Sequence, residues 1–269
     1  MKPSKLAILA VPIACMALMF SVAEEPLTAE DKDGWIELFD GKTLKGWHKN
    51  PQKIGHGTGG IWRAENGTIT GEQDPPGSGN GGILLTDRKF GDFEVMIDMK
   101  PDWGVCSGFF LRSNDKGQCI QMMVDYHDNG NVGHIYGEGT GGFNTRPFDI
   151  DGIYDDNKKL VGLKTKPAKT TPPKAYTISG KEFVKIWKVG DWNTAKVRVV
   201  GNPPKVTTWI NGVKVNEFDG NTFNGKGYDK KKVAETLGDK GSIAVQVHGG
   251  KGWPNGAKCR WRNIRIREL

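Results

Sequence analysis

Between residues 93 and 99 the chain reads Phe93-Glu94-Val95-Met96-Ile97-Asp98-Met99, with Phe93, Val95, Ile97 and Met99 on one parity and Glu94, Met96 and Asp98 on the other. A period of two puts alternate side chains on opposite faces of an extended chain, so this is a strand with one face in a core and one in water. The pattern recurs. Ile61-Trp-Arg-Ala-Glu65 stops at Asn66-Gly67 and resumes as Thr68-Ile-Thr70, and the runs 206–210 and 213–218 are joined by Asn211-Gly212. Asn-Gly between alternating runs is the strongest short-range hairpin signal, because both residues tolerate the positive φ of a tight turn.

Further strands are expected at 35–39, 83–85, 108–112, 119–126, 196–200, 242–248 and 259–266, with one possible helical turn around 230–237. The 38 glycines supply turns between many short strands. Strands this numerous with so little helix between them favour two packed antiparallel sheets over a parallel α/β sheet. The fold class is therefore mostly β, a jelly-roll sandwich, and residues 34–269 suit a single domain. The Gly- and aromatic-rich stretch 129–156 reads as a long loop, and 157–180, rich in Lys, Thr and Pro, as an excursion with room for a short strand.

Residues 1–23 carry Lys2 and Lys5, an apolar run over 6–22, and the small-residue triplet Ser21-Val22-Ala23 before Glu24. This is the pattern of a secretory signal peptide, and 24–33 is a polar linker. The expected location is secreted or periplasmic. Cys15 raises a lipoprotein alternative, but Pro12 stands where such sites carry Leu, and the apolar run continues past the Cys. No later segment approaches the ~20 apolar residues of a spanning helix, so no membrane insertion is expected.

Losing Lys2 and Lys5 lowers the formal charge from +7 to +5. The densest basic stretch, 158–174, has no interleaved aromatics, so nucleic acid is not an expected partner. Cys106, Cys119 and Cys259 remain after cleavage; Cys106 and Cys119 could pair or stay as buried thiols, and no Cys/His spacing suggests zinc.

Parity also sorts polar residues. Cys119, Gln121, Met123 and Asp125 share one face of their strand, Gly108, Phe110 and Arg112 share one on the neighbouring strand, and Ala244, Gln246 and His248 oppose Ile243, Val245 and Val247. If these polar faces belong to one sheet, Arg112, Gln121, Asp125, Gln246 and His248 line a groove. Amides, a guanidinium and a carboxylate bond hydroxyls, and Tyr126 or Trp253 offers a flat surface to a sugar ring. Structural alternatives stand beside this: Arg112–Asp125 as an ion pair on a solvated face, His248 as a strand end, and His127 as a turn residue. Glu138 lies in Gly137-Glu-Gly-Thr-Gly-Gly-Phe143, where backbone can approach a ligand closely. Asp125, His127 and Glu138 leave room for a divalent metal without forming a recognised motif.

Leu38-Phe-Asp-Gly-Lys-Thr-Leu-Lys-Gly-Trp47, Trp62-Arg-Ala-Glu-Asn-Gly67, Ser107-Gly-Phe-Phe-Leu-Arg112, Gly241-Ser-Ile-Ala-Val-Gln-Val-His248 and Trp261-Arg-Asn-Ile-Arg-Ile266 together resemble the 3-keto-disaccharide hydrolase domain family. The resemblance implies a concanavalin A-like jelly roll. It also implies 3-keto-glucoside 1,2-lyase and 3-keto-2-hydroxyglucal hydratase activities acting on a glycoside or oligosaccharide. Many members carry Glu-x-Gln in the strand after the Arg motif, where this chain has Cys119-Ile-Gln121.

On that resemblance the expected roles are Asp125 as base at C2, His127 or His248 as its proton-transfer partner, and Arg112 with Gln246 on the developing oxyanion. Glu138 is a reserve base, and Gln121, Trp253 and Tyr126 contact substrate. A non-catalytic carbohydrate-binding module or lectin is the main alternative. A laminarinase-type glycosidase would place Glu-x-Asp-x-x-Glu on one strand, which Glu94-Val-Met-Ile-Asp98 does not match.

Overall fold

The computed structural model describes residues 33–52, 57–169 and 175–269. The expected leader, Cys15 and all but the last residue of the linker lie outside the described residues. The strands are β1 (Ile36–Glu37), β2 (Trp47–Lys49), β3 (Ile61–Glu65), β4 (Thr68–Glu72), β5 (Gly82–Phe90), β6 (Phe93–Met99), β7 (Val105–Ser113), β8 (Cys119–Tyr126) and β9 (Asn131–Glu138). They continue with β10 (Phe148–Tyr154), β11 (Leu160–Pro167), β12 (Tyr176–Thr177), β13 (Asn193–Val200), β14 (Lys205–Ile210), β15 (Val213–Asp219), β16 (Gly241–Val247) and β17 (Cys259–Glu268). Two short helices, α1 (Gly180–Ile186) and α2 (Lys230–Leu237), lie between strands of the second half.

Two antiparallel sheets face each other, as a jelly roll requires. One runs β12-β15-β14-β13-β6-β17-β4-β3, with β1 on the flank of β17, and the other runs β2-β5-β16-β7-β8-β9. Phe93, Val95, Ile97 and Met99 on β6 and Ala195, Val197 and Val199 on β13 pack against Ile120, Met122 and Val124 on β8 and Ile243, Val245 and Val247 on β16. Burying a side chain of this size contributes ~1.5–3 kcal/mol, and that strict alternation is what holds the register of both sheets. The outer face of β6 is wet, with Glu94 paired to Lys196 and Arg267 at 3.0 and 2.7 Å.

The stretch 129–156 is not a loop. It forms β9 and β10, and a third of the 157–180 excursion is β11, paired antiparallel with β10. Two features hide these strands. In β9, Gly137 is needed because a Cβ there would lie 2.3 Å from the Phe143 ring, so this glycine serves close packing rather than a turn. In the β10–β11 pair, polar residues sit opposite one another, as in Asp151 opposite Lys164, and Lys166 reaches Asp151 at 2.7 Å. Phe148, Ile150 and Leu163 of this ribbon are buried, but the charged residues interleaved with them make it read as solvated chain. Among the helices, α2 matches the expected turn, while α1, opened by a capping box of Ser179 and Glu182, was hidden by the polar sequence before it.

His134, fully buried on β9, sits edge-on to Phe148 at 5.1 Å and donates from Nδ1 to the Asn131 Oδ1 at 2.9 Å. Burial pulls its pKa down to about 3. The folded value lies below that of an unfolded histidine, so its share of stability is whole above about pH 6.5 and is lost as pH falls toward 3. Between pH 7 and 5 this single group should cost about 2 kcal/mol, and His134→Gln should flatten the unfolding free energy against pH by that amount. Identical pH slopes for the two proteins in denaturant titrations would remove the assignment.

Candidate functional site

The outer face of the six-stranded sheet carries the polar side chains. On β8, Ile120, Met122, Val124 and Tyr126 enter the core, which turns Gln121, Met123 and Asp125 outward. On β16 the same rule sends Gln246 outward, with His248 just beyond the strand's end. On β9 a bulge sets two residues, Gly133 and His134, opposite Met123 alone, and Gly133 takes a φ of 91°. That shift aims Tyr136 and Glu138 outward beside Gln121. Past β9 the chain folds back, with the Gly137 amide donating to the Phe143 carbonyl at 2.9 Å, and this return sets Asn144 and Arg146 as a wall.

These residues enclose a cavity of about 260 Å³. Asp125 sits part-buried in its wall, directly across from Cys106 on β7, whose thiol donates to Oδ1 at 3.1 Å. Burial raises the Asp125 carboxyl above the usual carboxylate range, outweighing the Cys106 hydrogen bond and the pull of His127, His248 and Arg146. Burial, then the Asp125 and Glu138 charges, push the Cys106 thiol well above its ordinary value, so Cys106 stays a protonated donor.

Two buried amide atoms in this wall have no partner among the described residues, Gln121 Oε1 and Gln246 Nε2. Gln121 Nε2 donates to Glu138 Oε2 at 3.1 Å. Both amides line the same polar cavity, whose hydrogen-bonding side chains fit a ligand carrying hydroxyls and a carbonyl. Room for the Gln121 amide comes from Gly108, since a Cβ there would lie 1.8 Å from Gln121 Oε1. Gly108→Ala should therefore displace this amide and lower kcat/KM at least ~10-fold, the order expected when one buried hydrogen bond to a ligand is lost. An unchanged kcat/KM in a folded Gly108→Ala protein would take Gln121 out of the site.

A second cavity of about 420 Å³ adjoins the first and is lined by Trp103, His127, Asp128, Trp253 and Pro254; Cys106 and His248 line both. His127 Nδ1 meets the Asp128 carbonyl at 2.8 Å, and His248 Nδ1 meets the Gly249 carbonyl. A carbonyl only accepts, so each Nδ1 carries the hydrogen and Nε2 is the basic nitrogen of the neutral ring. Gln73 braces the turn after β16 by donating to the His248 and Gly250 carbonyls at 3.0 and 2.9 Å.

Of the expected site residues, Asp125, His127, His248, Gln121, Gln246, Glu138 and Trp253 all line these two joined cavities. Arg112 does not. It takes a φ of 52° where β7 bulges against β16, so strict alternation fails at the one residue for which it was needed. Its buried guanidinium instead donates to the Gly91 and Gly201 carbonyls at 2.8 and 2.6 Å and to Asp92 at 2.5 Å, at the end of β7 away from Cys106. Tyr126 is also corrected. It is 2% exposed, faces the core, and packs between Trp103 and Trp187.

Arg146 supplies the guanidinium that Arg112 does not, and sequence reading missed it because it lies within the stretch 129–156, read as loop. Trp103, part-buried and edge-on to Tyr126 at 4.9 Å, is the aromatic overlooked in favour of Tyr126. Cys119 is fully buried among Ile83, Leu85, Phe110 and Ala244, and its cross-strand neighbour Glu138 brings a carboxylate to the cavity from the next strand. Cys106, Cys119 and Cys259 are all free thiols.

For a metal, the donors that converge are Cys106, Asp125 and His127, within 4.8 Å of one another; Glu138, expected in that set, is not among them. Burial holds the Cys106 thiol protonated, and it would have to lose that proton to act as a ligand.

The family model of the 3-keto-alpha-glucoside-1,2-lyase-like domain matches residues 34–267. The chain belongs to this family. A 3-keto-disaccharide hydrolase of Bacteroides thetaiotaomicron is 36% identical over 91 residues, an alignment spanning 32% of this chain and 29% of that protein. Two solved structures of candidate glycosyl hydrolases from Parabacteroides distasonis superpose with a TM-score of 0.53 each, at 18% and 21% identity. They cover 89% and 87% of this chain and 96% and 99% of their own, and they share its fold. For this member of the lyase-like family, no helix among the described residues is long and apolar enough to cross a membrane.

Proposed function

We propose that the protein is an exported enzyme that cleaves 3-keto-glycosides by elimination across C1–C2 and then hydrates the 3-keto-2-hydroxyglucal so formed, a net hydrolysis. The observation that carries this reading is Asp125, a carboxyl raised by burial, in a polar wall with an orphaned amide donor and acceptor beside it. Family membership supports the same chemistry.

A ketone at C3 acidifies the C2 proton and places the glycosidic oxygen β to the carbonyl, so the C1–O bond can break without an oxocarbenium ion. The Asp125 carboxylate takes the C2 proton. Charge developing on the C3 oxygen is met by Gln246 Nε2, an otherwise unpaired donor, and by Arg146 from the facing wall. Electrons return from the enolate to form C1=C2, the C1–O bond breaks, and a protonated histidine, His127 or His248, delivers its proton to the departing oxygen. Hydration runs the same groups in reverse. The neutral histidine takes a proton from water adding at C1, and the Asp125 carboxyl returns its proton to C2. Both groups end as they began, so one site completes both steps without an external acid.

Purified protein is incubated with 3-keto-trehalose, 3-keto-sucrose and their unoxidised parents while the conjugated enone is followed by absorbance. Enone and released sugar from the oxidised substrates alone are the expected result. Keto-sugars bound but returned unaltered would sink the enzymatic reading and leave a binding module.

A further inference from the structure

The two joined cavities differ in chemistry, and that difference assigns the two halves of a substrate. The smaller one is walled by amides and charges: Gln121, Glu138, Arg146 and Gln246 around Asp125. The larger one is walled by Trp103 and Pro254 together with Trp253, which is 5% exposed, and Gly249 and Gly252 leave bare backbone in its lining. Trp253 has no hydrogen bond to offer a ligand, because its Nε1 already donates to the Ala257 carbonyl at 2.8 Å. Its volume of about 420 Å³ falls in the ~300–1,000 Å³ range of ligand pockets. Flat apolar faces are what indole walls bind, whether an aryl ring or the C–H face of a pyranose.

Cys106 and His248 belong to both cavities and mark where the two meet. His127 lines only the aromatic cavity, and Asp125 only the polar one. Their donor atoms nevertheless lie within 4.8 Å of each other. A base at C2 and an acid at the oxygen on C1 need to be that close if both act on one face of the C1–C2 bond.

We propose that the cavity between Trp103 and Trp253 receives the departing group of the glycoside, that it selects aglycones presenting a flat apolar face, and that His127 is the acid that protonates the leaving oxygen. This rests on the elimination reading above and adds to it the substrate class and the identity of the acid. In proton terms, the imidazolium of His127 gives the proton at Nε2 to the oxygen as the C1–O electron pair moves onto it. His127 becomes neutral while Asp125 holds the proton from C2.

Trp103→Ala would also disturb the Tyr126 packing, so the informative variant is Gly252→Val. Gly252 lines this cavity, and a Cβ there meets nothing within 4 Å, so the valine fits without a clash. The measurement is kcat/KM for methyl, phenyl and glucosyl 3-keto-glucosides. Gly252→Val is expected to lower the phenyl-to-methyl and glucosyl-to-methyl ratios about 10-fold or more, the scale of lost contact in an apolar pocket. A fall in both ratios, or in the phenyl ratio alone, supports the cavity and tells whether its occupant is any flat ring or an aryl group. Ratios unchanged within about twofold overturn it.

His127→Gln is expected to slow the glucosyl substrate about 100-fold or more and the 4-nitrophenyl substrate less than about 10-fold, because a nitrophenolate leaves without a proton. Equal losses on both would overturn the acid role. Should the unmodified protein turn over none of these compounds, the elimination reading alone has failed. Titration calorimetry with unoxidised phenyl and methyl glucosides then decides the cavity: tighter phenyl binding that Gly252→Val removes sustains it, and equal binding overturns it.

Discussion

Asp125→Asn is expected to slow turnover of a 3-keto-glucoside by about 10²–10⁴-fold, the usual contribution of a general base, with the fold intact. Asn keeps the shape and can still accept from the Cys106 thiol, so the loss reports the proton acceptor and not the packing. Stability supplies an independent readout. The folded Asp125 carboxyl titrates above its unfolded value, so its contribution to stability is whole below the unfolded pKa, about 3.9, and is lost as pH rises through the folded one. At neutral pH the ionised group is therefore held against its burial. Asp125→Asn should melt no lower than the parent at pH 7 while losing activity, a trade typical of functional groups. For the parent, the acid limb of kcat/KM should lie above the ordinary carboxylate range. Full activity in Asp125→Asn, or a large fall in melting temperature accounting for the loss, would dismiss the assignment.

Arg112→Met is expected to do the opposite. Arg112 is 1% exposed and ties β7 to the Gly91–Asp92 turn and to Gly201, the residue after β13, so its three bonds join the two sheets at one end. Methionine fills much of the same volume but leaves the Gly91 and Gly201 carbonyls without this donor, and Asp92 with the Gly201 amide in place of its charge partner. Removing one member of a buried charged network costs ~3–5 kcal/mol, and the exposure of Asp92 puts this case at the lower end. Denaturant unfolding should show that loss, while kcat per folded molecule changes little. A stable Arg112→Met protein with collapsed kcat would restore Arg112 to the reaction and overturn its placement as a clamp.

The contrast between these two residues shows what sequence carries and what it does not. Alternation along β6, β8 and β16 is legible because each strand has one apolar face and one that carries polar residues, and it set Gln121, Asp125, Gln246 and His248 on a common face without any coordinates. It failed at Arg112, where one positive φ breaks the period, and across residues 131–167, where packing glycines and a ribbon that mixes charged with buried residues erase the contrast that periodicity needs. Arg146 and Trp103 were missed for a related reason. Both come from connecting segments, whose direction is set by backbone hydrogen bonds such as Gly137 to Phe143 and not by any repeating pattern.

The placement of β17 bears on how the protein comes to be made. Residues 259–268 lie between β6 and β4 in the middle of the larger sheet, and their far end pairs with Ile36 and Glu37 near the opposite terminus of the described chain. Synthesis must therefore have passed residue 268 before that layer can zip together. Assembly that waits on such distant partners is slow, and until it finishes β4 and β6 present open edges that invite association with other chains.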